Sequence, residues 1–197
     1  MRFKLFGTEI YISFFFAAVI TAMLAFDRTG LIIPVIFTVV MHELGHLFAM
    51  WVLDCQPKRI RLVPAAVEIT NKMPVKQKKE IIIAVCGPAV NIVIFFTLYF
   101  NYMAFGRDTS LYYALINLLI GVFNLLPVTG LDGGNILFAL LSKKLELGRA
   151  MLVMRIITLI FAALAVIAAV SLAFAGNFNI SFFIAGLYFA VMGLIKI

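Results

Sequence analysis

Six apolar runs restrict the fold of this chain more than any other feature of its sequence. Each run has about the length that a helix needs to cross the hydrocarbon core of a bilayer. Their approximate bounds are 10–26, 31–53, 81–104, 111–126, 152–175 and 180–194. We therefore predict an all-α membrane protein with six transmembrane helices, in which residues 1–197 form a single polytopic domain. The first run is expected to be a retained span rather than a cleaved leader.

Basic residues are concentrated in alternate connections between these runs. Thirteen Lys and Arg residues lie at the two termini and after the second and fourth runs, whereas the other three connections contain Arg28 and Arg107. This distribution predicts that the N- and C-termini are cytoplasmic. A solvated cytoplasmic face accounts for the formal charge of +7, so the expected partner is the lipid bilayer and not nucleic acid.

The second run contains the sequence His42-Glu43-Leu44-Gly45-His46. On a helix, the two histidines project from one face, where their imidazoles can bind one metal ion. Glu43 is the candidate base, and the pattern is typical of zinc metalloproteases. Ionisable groups are unfavourable in hydrocarbon unless they are paired, hydrated or bound to metal, which favours a metal site. The alternative is that both histidines are hydrogen-bonded core residues.

A third zinc ligand must be a carboxylate, because the chain contains only two histidines. An apolar stretch begins at Leu111. It is interrupted by Pro127 and several glycines and resumes at Ile136. We therefore predict a broken fourth helix, whose irregular backbone must be buried in protein or line a cavity. Asp132 lies at this break in apolar sequence and is the predicted third ligand. The alternative for Asp132 is a structural Asp-Gly turn.

Two further segments carry weaker signals. Residues 59–63 and 67–70 alternate polar and apolar side chains around Pro64-Ala65-Ala66, which predicts a short β-hairpin-like loop after the second helix, with an ordinary interfacial loop as the alternative. A free strand edge there could bind an extended peptide. Residues 87–91, which contain a glycine, a proline and Asn91, are typical of close helix packing, and a substrate-positioning role for Asn91 is the alternative.

Three motifs together resemble those of the site-2 protease family of intramembrane zinc metalloproteases, and most of all its stage IV sporulation FB branch. They are His-Glu-Leu-Gly-His at 42–46, Gly-Pro-x-x-Asn at 87–91, and Asn-Leu-Leu-Pro at 124–127 followed by Leu-Asp-Gly-Gly at 131–134. The resemblance implies one zinc ion per chain, bound by His42, His46 and Asp132. It also implies that Glu43 is the catalytic acid and base.

The resemblance further implies that Asn124 and Pro127 belong to a loop that positions substrate. Family members cleave membrane-bound or membrane-associated regulatory proteins, such as sigma-factor precursors or anti-sigma factors, or signal-peptide remnants. We therefore expect such a substrate and a bacterial cell membrane. Unlike many members, the chain is expected to lack CBS and PDZ domains, which leaves its regulation, inhibitory partner and oligomeric state open.

Two other functions fit part of the sequence. Intramembrane His, Glu and Asp also mark ion pathways, so a metal or ion transporter is the first alternative. Against it, the first, fifth and sixth runs contain no continuing series of polar residues. A non-catalytic scaffold that binds membrane segments is the second alternative, and the presence of Glu43 argues against it.

Overall fold

The computed structural model describes residues 2–5, 8–55, 57–63, 66–71, 75–176 and 180–194. Within these residues the chain forms four strands and seven helices. They are β1 (Arg2–Leu5), β2 (Thr8–Ile12), α1 (Phe14–Phe26), α2 (Ile32–Val52), β3 (Pro57–Val63), β4 (Ala66–Asn71), α3 (Gln77–Phe105), α4 (Asp108–Asn124), α5 (Asp132–Leu141), α6 (Leu147–Phe174) and α7 (Ile180–Leu194). They divide into two compact units, Met1–Phe123 and Asn124–Ile197.

The first unit contains a four-stranded sheet in the order β1-β2-β3-β4. The predicted hairpin is confirmed, because β3 and β4 pair antiparallel, although Pro64 and Ala65 of its turn lie outside the described residues. The prediction that the first span begins near residue 10 is wrong. Residues 8–12 form β2, which pairs parallel with β3, and helix α1 begins only at Phe14. The all-α prediction is therefore too simple.

Three helices, α2, α3 and α6, are long and apolar enough to cross a membrane. Helix α1, helix α5 and residues 182–194 of α7 are shorter apolar helices. Large apolar side chains also point outward, for example Trp51 and Phe100, which are 70% and 64% exposed. Such exposed apolar faces fit a hydrocarbon solvent better than water. The structure is thus mostly helical, and the count of six spans stays a prediction.

Helices α2 and α3 meet through small and polar residues. The buried residues of α2 recur every three or four positions, at Thr38, His42, Gly45, His46 and Ala49, and so share one face. Those of α3 include Ala84, Gly87, Pro88 and Asn91, which share a face in the same way. The polarity is reversed relative to a soluble bundle, because the buried faces carry the imidazoles and an amide while bulky apolar groups lie outside.

The second unit is built around α6 and α7. Its apolar core contains Val128, Leu131, Ala162 and Phe189. The first two belong to the segment before α5, so the break in the predicted fourth span is packed against the helices that follow it in sequence. The predicted interruption is confirmed: α4 ends at Asn124, and α5 begins at Asp132.

Candidate metal centre

The two histidines lie on the buried face of α2. His42 and His46 are 4% and 7% exposed, and Glu43 between them is half-buried. Their Nε2 atoms are 3.1 Å apart, and the rings meet edge to face. Two imidazole nitrogens bound to one tetrahedral zinc ion are about 3.3 Å apart, given zinc–nitrogen bonds of about 2.0–2.1 Å. The pair is therefore already spaced to share a metal ion.

Each imidazole is oriented by a partner at its other nitrogen. Nδ1 of His46 donates to the main-chain carbonyl of Ile83 at 2.8 Å, which leaves Nε2 of that ring with a lone pair. Nδ1 of His42 lies 3.2 Å from the side-chain amide of Asn91. Both partners belong to α3. Metal-binding histidines usually have such a partner on the second ring nitrogen, so the donor set fits a zinc ion.

Two glycines allow α2 and α3 to approach at the histidines. A Cβ atom at Gly45 would lie 2.7 Å from the carbonyl oxygen of Cys86, so the backbones could not come as close with any other residue there. A Cβ atom at Gly87 would overlap the His46 ring and lie 2.8 Å from Nε2 of His42. The space beside the two Nε2 atoms therefore exists only because residue 87 has no side chain.

Asn91 is fully buried between α2 and α4. Gly121 of α4 faces it, and a Cβ atom built there would lie 3.2 Å from Cβ of Asn91. The Nδ2 atom makes the contact with His42, while Oδ1 has no hydrogen-bond partner among the described residues. The sequence predicted close helix packing at residues 87–91, and a buried amide there needs a hydrogen-bond partner. The structure identifies that partner as a histidine of the metal-binding pair.

Both ends of α2 are tied down by charged side chains. At its start, the Asp27 carboxylate accepts hydrogen bonds from the main-chain N–H groups of Thr29, Gly30 and Ile32 and from the Thr29 hydroxyl. These bonds, that of the hydroxyl above all, hold the pKa of Asp27 at about 2. At its end, Lys79 donates to the carbonyl of Leu53 at 2.6 Å. This contact was not predicted from the sequence.

Asp132 is the first residue of α5 and is half-buried. The backbone of residues 125–129 crosses the start of this helix closely. Cβ atoms at Gly133 and Gly134 would overlap main-chain atoms of Leu125 and Val128, respectively. The two glycines after Asp132 are therefore required for the loop to lie against the helix, in addition to their place at the helix break.

The loop before Asp132 is also bonded to α6. The main-chain N–H of Thr129 donates to the hydroxyl of Thr158 at 3.0 Å, and the two threonine hydroxyls are 3.0 Å apart. Thr158 is fully buried. Sequence reasoning missed this residue. The signal that could have found it is a threonine in an otherwise apolar run, where a buried hydroxyl needs a partner.

Of the residues singled out from the sequence, His42 contacts both His46 and Asn91 within the first unit. Asp132 and Pro127 belong to the second unit, and both are half-buried. Asn124 is the last residue of α4. The roles assigned to Glu43, Asp132, Asn124, Pro127 and Asn91 stay predictions. Cys55 and Cys86 are free thiols.

Comparison with known proteins gave consistent matches. The sequence profile of peptidase family M50 matches residues 103–168. A zinc metalloprotease of Methanocaldococcus jannaschii is 32% identical over 155 residues, which cover 72% of this chain and 45% of that protein. Stage IV sporulation protein FB of Bacillus subtilis is 34% identical over 118 residues, which cover 57% of this chain and 40% of that protein. The matched segments therefore cover less than half of either relative.

A solved structure, the site-2 protease from Methanocaldococcus jannaschii, is similar over the whole chain. The TM-score is 0.70 with 25% sequence identity, and the match covers 100% of this chain and 97% of that one. The likeness includes the region of α2 and α3 that lies outside the matched part of the family profile. Fold and sequence thus agree on the same group of proteins.

Proposed function

Because the chain belongs to the site-2 protease family, we propose that it is an intramembrane zinc metalloprotease that cleaves membrane-embedded or membrane-associated protein substrates. The observation that carries the proposal is the pair of buried imidazoles with Nε2 atoms 3.1 Å apart. Each imidazole also has a partner on α3 at Nδ1. Buried histidines arranged in this way on an apolar helix are suited to hold a metal ion.

In this proposal His42, His46 and Asp132 hold one zinc ion per chain. Bound zinc supplies a Lewis acid that lowers the pKa of water to about 7 and so makes hydrolysis feasible at neutral pH. A carboxylate in the first turn of α5 also complements the positive end of the helix dipole. Support for Asp132 comes from its place in the sequence, because the chain has only two histidines.

Glu43 handles the protons of the reaction. Its carboxylate accepts a proton from the attacking water and passes it to the nitrogen of the leaving amine. Its position directly after His42 on α2 keeps it beside the metal-binding pair. Asn124, Pro127 and Asn91 are proposed to position substrate, and the packing of Val128 and Leu131 holds the loop that contains Pro127.

We propose that the helices cross a bacterial cell membrane six times as one polytopic domain, with both termini in the cytoplasm. The distribution of Lys and Arg supports this orientation. Regulatory proteins anchored in the membrane, such as sigma-factor precursors or anti-sigma factors, are the proposed substrates, together with signal-peptide remnants. A helical substrate must unwind before cleavage, and an edge strand of the sheet could bind the extended peptide.

Replacement of Glu43 tests the proposal. Glu43→Gln should retain zinc and helix packing while cleavage falls by at least about 100-fold, because the general base is lost. The assay co-expresses either protein with tagged membrane-anchored regulators and measures shortened products, and zinc is measured in the purified proteins. His46→Ala is the matched variant that should lose zinc as well as cleavage.

The two alternatives give different results in the same assay. A transporter would yield no shortened product with either protein, and a scaffold would bind substrate without cleaving it. Equal product with wild-type and Glu43→Gln proteins would exclude Glu43 as the base. Loss of zinc in Glu43→Gln would instead make it a ligand or a structural support.

A further inference from the structure

The four-stranded sheet of the first unit has one charged face. Lys4 pairs with Glu9 and Glu9 pairs with Arg59 in the register of the strands, so the three residues lie in one row across β1, β2 and β3. Arg59 binds one carboxylate oxygen of Glu9 at 3.0 Å, and Nζ of Lys4 lies 4.0 Å from the other. Two residues further along the strands, the guanidinium of Arg61 lies over the ring of Tyr11. Residues two apart in a strand share a face, so both rows belong to the same side of the sheet.

The opposite side of β2 and β3 carries apolar residues. Ile10 pairs directly with Ile60, and Ile12 lies two residues further along the same side of β2. These three isoleucines are half-buried, whereas Arg59 and Arg61 are exposed. The two central strands are therefore amphipathic. One apolar side and one cationic side are what hold an amphipathic helix in a membrane interface, and a sheet with the same two sides suits the same place.

Both ends of the β2–β3 pair adjoin apolar helices. Strand β2 ends at Ile12, and Phe14, the first residue of α1, is 88% exposed. Strand β3 begins at Pro57, a few residues after α2 ends at the exposed Val52. Because β2 and β3 are parallel, these two junctions lie at opposite ends of the pair. Each end of the pair is thus held close to an apolar helix terminus, which suits a sheet that lies along a membrane surface and does not project from it.

We propose that the charged face, formed by Lys4, Glu9, Tyr11, Arg59 and Arg61, binds the phosphate groups of anionic phospholipids. An interfacial element buries its apolar side by about 5–10 Å, which leaves its other side at the level of the lipid headgroups. Guanidinium groups form paired hydrogen bonds with phosphate oxygens, and an aromatic ring such as that of Tyr11 is favoured at this level. Among the described side chains, this face carries three cations and one carboxylate, so its charge complements an anionic lipid surface.

Glu9 orients the cations without neutralising the face. The hydrogen bond and the charge of Arg59, with smaller contributions from Lys4 and Lys58, hold the pKa of Glu9 below its ordinary value, so the carboxylate is ionised at neutral pH. Lys58 is exposed and adds a fourth cation beside the face. The Arg59 side chain remains half exposed in its ion pair, so its guanidinium can also reach a phosphate group.

Quenching of a single tryptophan by brominated lipids tests the proposal. Trp51 is the only tryptophan of the chain, so Trp51→Phe combined with Tyr11→Trp gives a full-length reporter whose one indole lies on the charged face beside Arg61. The reporter is reconstituted in bilayers of phosphatidylglycerol and phosphatidylcholine, with bromine near the headgroup end of the acyl chains of one lipid or the other. We expect phosphatidylglycerol to be enriched about fivefold or more around the indole, since each cation near an anionic surface changes the binding constant by about that factor. Equal quenching by the two lipids would overturn the proposal.

Variants of the reporter identify the residues responsible. Arg59→Gln combined with Arg61→Gln should remove the enrichment of phosphatidylglycerol. The matched control is Lys143→Gln combined with Lys144→Gln, which removes two exposed charges from the second unit and should preserve the enrichment. Enrichment that persists in the arginine variant, or that is lost equally in both variants, would overturn the proposal. Arg59→Lys combined with Arg61→Lys keeps both charges and should keep the enrichment; its loss in this variant as well would assign the effect to the fold of the sheet and also overturn the proposal.

Two soluble anions distinguish the lipid from other partners. Inorganic phosphate and a polyglutamate peptide, each compared with sodium chloride at equal ionic strength, should not displace phosphatidylglycerol beyond the effect of salt. Specific displacement by phosphate would assign the face to the free ion, and specific displacement by the peptide would assign it to acidic protein segments. Either result would overturn the proposal. The test requires neither zinc nor cleavage, so its outcome is independent of the proposed protease function.

Discussion

Helices α2 and α3 of the first unit, and α6 and α7 of the second, both approach through glycine, but different atoms meet in the two pairs. In the first pair, Gly45 faces a main-chain carbonyl and Gly87 faces two imidazoles. In the second pair, a Cβ atom built at Gly186 would lie 2.7 Å from a methyl group of Val166 and 3.2 Å from its main-chain nitrogen. A Cβ atom built at Gly193 would lie 2.9 Å from a methyl group of Leu159. Chemistry therefore distinguishes two contacts that look alike in sequence.

The two contacts differ in how easily their side chains can move away from an added methyl group. An imidazole fixed at Nδ1 cannot move away from an added methyl group without losing its hydrogen bond. The end of a leucine side chain can rotate away at small expense. The α2–α3 contact is thus a rigid site for polar groups, and the α6–α7 contact is an adaptable support. Substitutions of the same kind should separate them.

The largest expected effect is that of Gly87→Ala. The added methyl group would occupy the space beside both Nε2 atoms, so zinc affinity should fall by about 100-fold or more, beyond the usual effect of changing an outer partner. Metal content of purified protein measures the effect. Gly148→Ala is the control, because no atom lies within 4 Å of a Cβ built at that glycine. Full zinc occupancy in Gly87→Ala would contradict the rigid α2–α3 contact.

An intermediate effect is expected for Thr158→Val, which preserves shape but removes the hydroxyl that binds the loop before Asp132. The N–H of Thr129 would lose its acceptor, and the free energy of unfolding should fall by about 1–3 kcal/mol. Denaturant unfolding in detergent measures the loss. Thr158→Ser keeps the hydroxyl and loses the methyl group, so it should be more stable than Thr158→Val. Wild-type stability in Thr158→Val would contradict the role given to the hydroxyl.

The smallest effect should come from Gly193→Ala on α7. The three atoms nearest to the added methyl group are side-chain atoms of Leu159 and Thr158. Alanine is also the better helix former by about 1 kcal/mol. These contributions oppose each other, so the melting temperature should change by only a few degrees, with zinc content unchanged. A loss of zinc in Gly193→Ala would show that the α6–α7 contact is as rigid as the α2–α3 contact.

The features that follow from local pattern were predictable. Two histidines one helical turn apart predict a metal-binding pair, and an aspartate among glycines in an apolar run predicts a helix break. The hairpin followed from the alternation of residues 59–63 and 67–70. The partners of these residues were not predictable in the same way. Contacts of Asn91 with His42 and of Thr129 with Thr158 join positions 49 and 29 residues apart, and no local pattern encodes such distances.

The error at the N-terminus has the same origin. Residues 10–12 are apolar enough to extend the first span, yet they belong to β2 because β3 offers a parallel partner about 50 residues later. Glu9 lies opposite Arg59 in that register, with a 3.0 Å ion pair between them. Opposite charges at these positions become meaningful only once the pairing is known.

The parallel pairing of β2 with β3 also bears on how the chain is threaded. Strand β2 precedes α1, and strand β3 follows α2. Because a bilayer cannot divide a hydrogen-bonded sheet, these two strands must lie on the same side of the membrane. The intervening segment must therefore enter and return, an even number of passages, whatever the sign of the charges around it. Strand pairing thereby constrains the membrane topology independently of the distribution of lysines and arginines.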